Sequence, residues 1–579
     1  MRWTASAPLC RVVSRYPLLV CVPMLGAMAV AHLVFTPMYQ TNDDVGMQML
    51  AQGVGMSGER TPFILFSNIL LGRGLVALYG IADWPWYRLF GLSLEAISGI
   101  ALASALRPSA GWPRGWLWIG AYFAVFELSF LIHPQFTVVA AEAQIAAVLC
   151  LQAAWQRGRV GLGTTTLVVL LTAAAAAIRL QSCVLILALF APQAAWECLQ
   201  RCGVVPRATL RSCLAGFAPL AIGAAVALAL TGYNAAEYQR DPGWREFLEF
   251  NRLRAEFNDF ERVAYNPQTS AVFDAVGWSE NDVRMFRTWF FTDRQLFSLD
   301  KLRTLVARAS AARPRPDAHA FVAFGREMLR DPATRTMLGL LVAAALAIPV
   351  GQWRSARWLA AAVAGLAVLG YLVYELNRAP PRVYQPMLAF LACEAIFLAA
   401  YAPAEMKSRR FSPRCLLVAA CGLFTAWNGC VWLRSELREA PRTAQVSRRF
   451  QETAQQLANS RRQLYVTWGA SFPYELVPPL DPLREFRDLR ILSLGVMTQS
   501  PVTEARMIEF GIDDLYRALY ERDDILLIST DAHNRLLEQF VREHYGVSIT
   551  ADPVTQYDLG KCRGREYRFT VFRIRRNEQ

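Results

Sequence analysis

Two adjacent carboxylates, Asp43 and Asp44, directly follow the first membrane-length apolar segment of the chain. Carboxylates transfer protons in many enzymes, and a charged pair this close to the hydrocarbon edge is costly to keep. The pair therefore predicts an enzyme site at a membrane surface. The alternative is structural, because the helix dipole favours Asp in a first turn, and two Asp after Asn42 form an ordinary helix start.

Three arginines lie at the ends of apolar segments. Arg179 follows one segment, and Arg378 and Arg382 lie in a short connection between two others. Arginines at a membrane boundary mark functional sites by default, although long basic side chains also snorkel to lipid headgroups. Pro380 and Pro381 restrict the backbone between Arg378 and Arg382, which favours this pair as a binding site.

Other polar residues are weaker candidates. His133 precedes a proline at a predicted turn, and Glu280 and Asp282 follow Ser279 in a pattern typical of a helix start. Each could line a cavity or bind an acceptor molecule, but capping or ordinary hydrogen bonding explains each as well. Three acidic residues within apolar segments could line the same cavity: Glu127, Glu142 and Glu394.

The elements that must position these residues are membrane helices. Hydrophobic residues make up 54% of the 579-residue chain, which is more than a soluble domain usually carries. Apolar runs long enough to cross a bilayer recur along most of the sequence. They predict about eleven transmembrane helices, at residues 17–38, 86–106, 115–132, 134–155, 162–178, 181–199, 213–232, 336–352, 358–376, 384–403 and 413–433.

Basic residues predict the orientation of these helices. Arg2, Arg11 and Arg15 precede the first apolar segment, and later arginines concentrate in alternate short loops. The positive-inside rule then puts the N-terminus in the cytoplasm and the C-terminus outside. These loops also explain the net charge of +13, so we reject nucleic-acid binding. Arginine far outnumbers lysine, which indicates a GC-rich bacterial genome and hence a bacterial cytoplasmic membrane.

Two external loops are predicted to carry structure of their own. The first comprises residues 39–85. It begins with a short helix that carries the acidic pair and ends at Gly53, and an apolar stretch in the membrane interface follows. The second, residues 233–335, is too long for a structureless connection. Within it, Ser279 and Asp282 predict a capping box, and helices here could cover a substrate site.

The composition and the hydrophobic pattern of the sequence change after residue 433. Residues 1–433 form the predicted transmembrane domain, whereas residues 434–579 alternate charged helices with apolar strands, which predicts an extracytoplasmic α/β domain. This domain has no glycine-rich phosphate loop or nucleophile elbow, so we expect acceptor recognition or structural support from it. Its predicted strands are 464–468, 490–494, 525–529 and 567–574, with helices near 503–510 and 533–545.

An acidic pair in the first external loop, a large later external loop and a terminal external domain together resemble the GT-C superfamily of membrane glycosyltransferases. Its members include protein O-mannosyltransferases, lipid A aminoarabinose transferases and oligosaccharyltransferases. The topological resemblance covers the whole chain. The motif resemblance covers only Asn42, Asp43, Asp44 and their flanks.

The resemblance implies a reaction. A sugar linked through phosphate to a polyprenyl lipid would be the donor, and a hydroxyl of a cell-envelope glycan, lipid or protein would attack its anomeric carbon on the outer face. Asp43 or Asp44 would then be the general base, and the other would orient the acceptor or a divalent cation, if one is used. The phosphate charge would be stabilised by Arg179, Arg378 and Arg382.

Two other function classes compete with this interpretation. A lipid or polysaccharide transporter without covalent chemistry also has many spans and a few buried charges, but no internal repeat links the two halves of this chain. A membrane acyl- or phosphotransferase should show a clearer histidine or nucleophile arrangement, and the chain has only five histidines.

Overall fold

A computed structural model describes residues 20–107, 115–158, 160–202, 208–309, 318–349, 353–376, 378–401 and 413–577. The first half contains α1 (Val22–Leu33), α2 (Asn42–Gln52), α3 (Ile69–Ile81), α4 (Trp86–Ala105), α5 (Gly115–Ile132), α6 (Phe136–Gln156), α7 (Leu162–Cys202) and α8 (Ala208–Arg240). The large loop that the sequence predicts to be external contains α9 (Pro242–Asn258), α10 (Ser270–Asp274), α11 (Glu280–Arg287), α12 (Leu299–Ala309) and α13 (Ala318–Arg330). The helices that follow are α14 (Pro332–Ala347), α15 (Trp353–Leu376), α16 (Pro381–Ala400) and α17 (Pro413–Asn459).

The prediction of a polytopic helical membrane protein is confirmed. Within the described ranges, eight helices are long and apolar enough to cross a membrane, namely α4 to α8 and α15 to α17. Three shorter apolar helices, α1, α14 and α3, correspond to the predicted spans at 17–38 and 336–352 and to the predicted interfacial stretch. Arg2, Arg11 and Arg15 lie outside the described residues, so the orientation of the termini stays a prediction.

Helix α7 breaks at Arg179, whose φ of −154° and ψ of 97° are those of an extended residue. Arg179 lies 5.6 Å from the ring of Phe136 at the start of α6. Phe190, further along α7, stacks on Trp155 near the end of α6 at 6.0 Å. The chain therefore reverses direction at Arg179, as the two separate apolar runs on either side of this residue predicted.

The predicted helix at the acidic pair is present, and it ends where the sequence indicated. Gly53 follows α2 with a φ of 77°, a left-handed conformation that favours glycine. A Cβ at this position would also lie 2.6 Å from the backbone nitrogen of Arg60. In the large loop, Ser279 and Asp282 form the predicted capping box at the start of α11.

The C-terminal region forms a five-stranded sheet in the order β2-β1-β3-β5-β4. Strand β1 is parallel to β2 and β3, and β5 is antiparallel to β3 and β4. The elements are β1 (Leu464–Trp468), β2 (Ile491–Leu494), α18 (Pro501–Glu509), α19 (Leu515–Glu521), β3 (Ile525–Ser529), α20 (Asp531–Tyr545), β4 (Ile549–Cys562) and β5 (Arg565–Arg576).

The prediction of an α/β domain is confirmed, although two of its elements were missed. Strand β4 is an edge strand, and residues such as Pro553 and Gly560 interrupt the alternation that marks a strand. The short helix α19 was also missed. Helix α17 continues without a break from the membrane segment to Asn459, and the division of the chain at residue 434 stays a prediction.

The C-terminal sheet packs against both external loops. On one side, Trp468 of β1 packs in a buried cluster with aromatic residues of the large loop, such as Phe286 and Phe290. On the other side, Tyr474 shares a cluster with Val45 of α2 and Phe450 of α17. This arrangement holds the C-terminal domain over the helix that carries the acidic pair.

Candidate active site

The two adjacent aspartates of α2 point into different surroundings, because successive side chains of a helix are about 100° apart. Asp44 is only 2% exposed. Its Oδ1 accepts hydrogen bonds from the Tyr87 hydroxyl at 2.9 Å and from the Phe136 N–H at 3.1 Å, whereas its Oδ2 has no partner among the described residues. Asp44 therefore connects α2 to the starts of α4 and α6.

Burial raises the pKa of Asp44 from 3.8 to about 8, despite the hydrogen bond from Tyr87. A carboxyl with this pKa is mostly protonated at neutral pH. A protonated Asp44 suits its buried position, because the ionised form would place an uncompensated charge there. Its role in the structure is thus that of a neutral hydrogen-bonding group.

We expect the Asp44→Asn variant to fold and to differ from the wild type in the pH dependence of its stability. A folded-state pKa raised from 3.8 to about 8 means that the contribution of Asp44 to stability is lost as the pH rises through this interval. Asparagine does not titrate, so the variant should gain stability relative to the wild type between these pH values. Thermal unfolding in lipid nanodiscs across this interval measures the difference, and parallel curves would contradict the assignment.

Asp43 is half-buried and faces a cavity of about 530 Å³. The Thr41 hydroxyl donates to its Oδ2 at 3.4 Å. Burial raises the pKa of the Asp43 carboxyl, while the positive charges of Arg382 and Arg179 act against this rise. The structure thus separates the acidic pair into a cavity-facing carboxyl and a buried one, which the sequence left open.

All three arginines singled out from the sequence line this cavity together with Asp43: Arg179, Arg378 and Arg382. The break in α7 brings Arg179 to the cavity. The first external loop stabilises this break, because Ser67 and Asn68 donate hydrogen bonds to the carbonyls of Ile178 and Ala177 at 2.9 Å and 2.7 Å.

Two of the cavity arginines share one carboxylate. Arg378 donates to Asp259 at 2.8 Å, and Arg254 pairs with the other oxygen of Asp259 at 3.0 Å. In contrast, no carboxylate of the described residues lies within ion-pairing distance of Arg382, whose most influential acidic neighbour is Asp43. Arg382 is therefore freer than Arg378 and Arg254 to bind an anion.

The sequence interpretation missed Arg254 and Trp289, which both line the cavity. The Arg254 guanidinium lies over the Trp289 ring at 4.6 Å from its centre. Arg254 is only 3% exposed and lies between Phe250 and Phe257 on the apolar face of α9, a position that could have marked it as buried. Trp289 has a φ of 78°, a strained conformation that tends to occur at functional sites.

A second cavity, of about 210 Å³, adjoins the first. It is mostly apolar and reaches the C-terminal domain at Gly469, Tyr474 and Ser493. The two cavities share Asp43, Phe66, Trp289 and Val496. Among these four shared residues, Asp43 is the titratable one.

The charges of the larger cavity suit an anionic ligand. Its charged lining consists of four arginines and two aspartates, and the carboxylate of Asp259 is already paired with Arg254 and Arg378. A phosphate group is the kind of anion that several convergent guanidinium groups bind best. A divalent cation at Asp43 stays a prediction.

The remaining sequence candidates lie outside the linings of these two cavities. His133 contacts Glu436 at 3.2 Å and Arg563 at 2.8 Å, at the junction of the membrane helices with the C-terminal domain. Burial and the Arg563 charge lower the pKa of His133. Glu280 is exposed and pairs with Arg284 on its own helix.

Asp282 caps a helix, which was the alternative to acceptor binding in the sequence analysis. It is fully buried, caps α11 and accepts a hydrogen bond from His544 at 2.8 Å. Asp282, Glu543 and His544 form the one group in the described part of the chain whose ligand atoms are close enough together to hold a metal ion. The direct hydrogen bond already satisfies both side chains without a metal.

The C-terminal domain is fixed to α2 by two glutamine side chains. Gln48 and Gln52 donate hydrogen bonds to the carbonyls of Asp481 and Pro482 at 2.8 Å and 2.6 Å. Asn42 accepts another from the backbone N–H of Glu475 at 2.7 Å. These contacts orient the helix that carries Asp43 against the domain that closes the smaller cavity.

Replacing both glutamines with alanine should loosen this contact. The change leaves the buried Asp481 carbonyl and the half-buried Pro482 carbonyl without donors, at a cost of up to about 1–3 kcal/mol for each. We expect faster limited proteolysis near residues 478–483 and a lower unfolding temperature. The exposed Gln455→Ala on α17 is the matched control, and equal behaviour of the two variants would contradict the proposed attachment.

No family model and no curated protein matches the sequence. Among solved structures, the chain is similar to ArnT from Cupriavidus metallidurans in the apo state, with 13% identity, 97% of this chain and 98% of that chain covered, and a TM-score of 0.36. The structure of the same protein bound to undecaprenyl phosphate gives 13% identity, coverage of 96% and 98%, and a TM-score of 0.35.

Proposed function

We propose that the chain is a membrane glycosyltransferase that takes its sugar from a polyprenyl-phosphate-linked donor. The observation that carries this proposal is the position of Asp43 between two cavities of different chemistry. The arginine-lined cavity suits the donor phosphate, and the smaller cavity suits the acceptor. A base located between donor and acceptor is in the position that glycosyl transfer requires.

The donor cavity also has an apolar part that suits a lipid. Leu185, Leu372 and Leu376 line it together with the arginines, and they belong to the membrane helices α7 and α15. A polyprenyl chain could lie along these helices while its phosphate contacts Arg179 and Arg382. The combination of an apolar lining and convergent arginines fits an amphiphilic phosphate better than a free one.

In the proposed reaction, an acceptor hydroxyl attacks the anomeric carbon of the bound sugar. Asp43 takes the hydroxyl proton as the new carbon–oxygen bond forms. The bond between the anomeric carbon and the phosphate oxygen breaks, and polyprenyl phosphate leaves with the electron pair. Arg382 and the neighbouring arginines stabilise the negative charge that develops on the leaving phosphate.

The proposed acceptor is a hydroxyl group of a cell-envelope molecule on the outer face of the membrane. The mostly apolar lining of the smaller cavity favours an acceptor that presents its hydroxyl next to an apolar portion. The C-terminal domain contributes Tyr474 and Ser493 to this lining, which supports a role in acceptor recognition. The outer-face location follows from the predicted orientation.

The alternative function is transport of an intact lipid or polysaccharide across the membrane. Buried charges near the ends of membrane helices are also a feature of carriers. A carrier needs arginines to hold an anionic headgroup, but it does not need a cavity-facing base. The half-buried Asp43 between the two cavities therefore favours the transferase.

The test is a turnover assay with purified protein in lipid vesicles. A panel of polyprenyl-phosphate sugars is supplied with an envelope extract as acceptor, and release of polyprenyl phosphate is followed. Turnover that depends on the acceptor supports the transferase. Movement of an intact labelled lipid between the two leaflets, with no release of polyprenyl phosphate, would instead support the transporter.

A further inference from the structure

Two glutamates that the proposed reaction does not use face each other inside the membrane-spanning bundle. Glu127 on α5 is 0% exposed, and Glu142 on α6 is 1% exposed. Each is among the main electrostatic neighbours of the other. None of their four carboxyl oxygens meets strict hydrogen-bond geometry with a described residue, although the Glu127 carboxyl lies next to both the Glu142 carboxyl and the Tyr122 hydroxyl. Buried polar groups without partners are rare in native structures and call for an explanation.

The backbone beside Glu127 is unusual as well. Residues Phe123–Glu127 form a π-helical turn inside α5. Such turns are rare, and they occur frequently at functional sites because they shift the direction of the side chains that follow. The turn ends at Glu127, so an irregular backbone and a fully buried acidic side chain coincide within a membrane helix.

The surroundings of the pair supply no spare positive charge. The titratable groups that face it are Glu95, Arg88 and Tyr122, with Cys393 beyond the tyrosine. Arg88 is already paired with Glu95 at 3.0 Å. Two ionised carboxylates in this apolar interior would therefore be uncompensated, which is strongly unfavourable. Something bound between them must neutralise at least one.

We propose that Glu127 and Glu142 form a proton-binding site, in which the two carboxyl groups hold at least one shared proton at neutral pH. A proton lets one carboxyl group donate a hydrogen bond to the other, and carboxyl groups that face each other directly suit a shared proton. A bound monovalent cation is the alternative that the test must separate. This inference goes beyond the proposed glycosyl transfer and does not depend on it.

One helix connects the site to Asp44. Helix α6 carries Glu142 and begins at Phe136, whose N–H donates to Asp44. The six-residue separation corresponds to about 9 Å along a helix. Glu142 of the proton-binding pair thus lies further along the same helix whose first residue contacts Asp44.

Infrared spectroscopy of the protein in lipid tests the proposal, because a protonated carboxyl has a C=O band that a carboxylate lacks. At neutral pH, Glu127→Gln or Glu142→Gln should lose a protonated-carboxyl band that the wild type shows. Bands from other buried acids, such as Asp44, should remain in every variant. The control is Glu59→Gln, an exposed residue of the first loop, which should leave this region of the spectrum unchanged. Spectra of both glutamine variants that match the wild type would overturn the proposal.

A second measurement uses the wild-type protein alone, so that it does not depend on the folding of a variant. Dicyclohexylcarbodiimide reacts with protonated carboxyls in apolar surroundings, and peptide mass spectrometry locates the adduct. We expect labelling at Glu127 or Glu142 that decreases as the pH rises and does not change with sodium or potassium. Labelling that either cation abolishes at constant pH would overturn the proton site in favour of a cation site, and absence of labelling at both residues would overturn it outright.

Discussion

Replacing Asp43 with asparagine should abolish donor turnover while donor binding persists. Asparagine keeps the size of the side chain but cannot accept the acceptor proton. Loss of a general base costs about 10²- to 10⁴-fold in rate, and the phosphate-binding arginines are unchanged by this substitution. Release of polyprenyl phosphate measures kcat, and a titration with labelled donor measures Kd in the same preparation.

The matched control is Asp44→Asn, one residue along the same helix. Asp44 is buried and mostly protonated at neutral pH, since its pKa is about 8, and the asparagine carbonyl can still accept the hydrogen bonds of Tyr87 and Phe136. We expect this variant to retain most of its turnover. Near-normal turnover in Asp43→Asn would remove the base role, and loss of turnover in Asp44→Asn alone would transfer that role to Asp44.

The pH profile gives the base assignment an independent check. A general base works only when it is deprotonated, so kcat/KM should fall as the pH drops through the pKa of Asp43. Burial raises this pKa, so the fall should lie at a higher pH than the ordinary value for an aspartate.

Replacing Arg382 with glutamine should weaken donor binding more than the same replacement of Arg378 or Arg254. Arg382 faces the cavity without an ion-pair partner among the described residues, whereas Arg378 and Arg254 are already paired with Asp259. Loss of hydrogen bonds from a charged group costs about 1.5–3 kcal/mol, which corresponds to roughly 10- to 100-fold in Kd. Titration with a labelled polyprenyl-phosphate sugar measures this change.

The control for Arg382→Gln is Arg330→Gln at the end of α13, which removes the same charge from an exposed position. It should bind the donor as the wild type does. Arg382→Gln should also move the acidic limb of the pH profile upward, because the Arg382 charge lowers the pKa of Asp43. Unchanged donor affinity and an unchanged pH profile would together exclude Arg382 from the site.

Local sequence patterns were sufficient to predict most of the helices and strands. Apolar runs of membrane length, the glycine that ends α2, and the Ser279–Asp282 capping box each depend on residues close together in the chain. The strands at 464–468 and 525–529 were predicted with the bounds that the structure gives them. Edge strand β4 was missed because an exposed strand with proline and glycine lacks the usual alternation.

The sequence by itself also determined the chemical character of the site: an acidic pair at the membrane edge, and three arginines at the ends of apolar segments. Only the tertiary structure decided which carboxyl faces the arginines. Asp43 and Asp44 are the same residue type at adjacent positions, so the sequence does not distinguish them. Their surroundings are formed by residues far away in the chain, namely Tyr87 and Phe136 around Asp44 and Arg382 near Asp43. Likewise, Arg254 and Trp289 enter the cavity only because the large external loop folds back onto the C-terminal sheet. Burial and charge at a site depend on these long-range contacts, which no local pattern encodes.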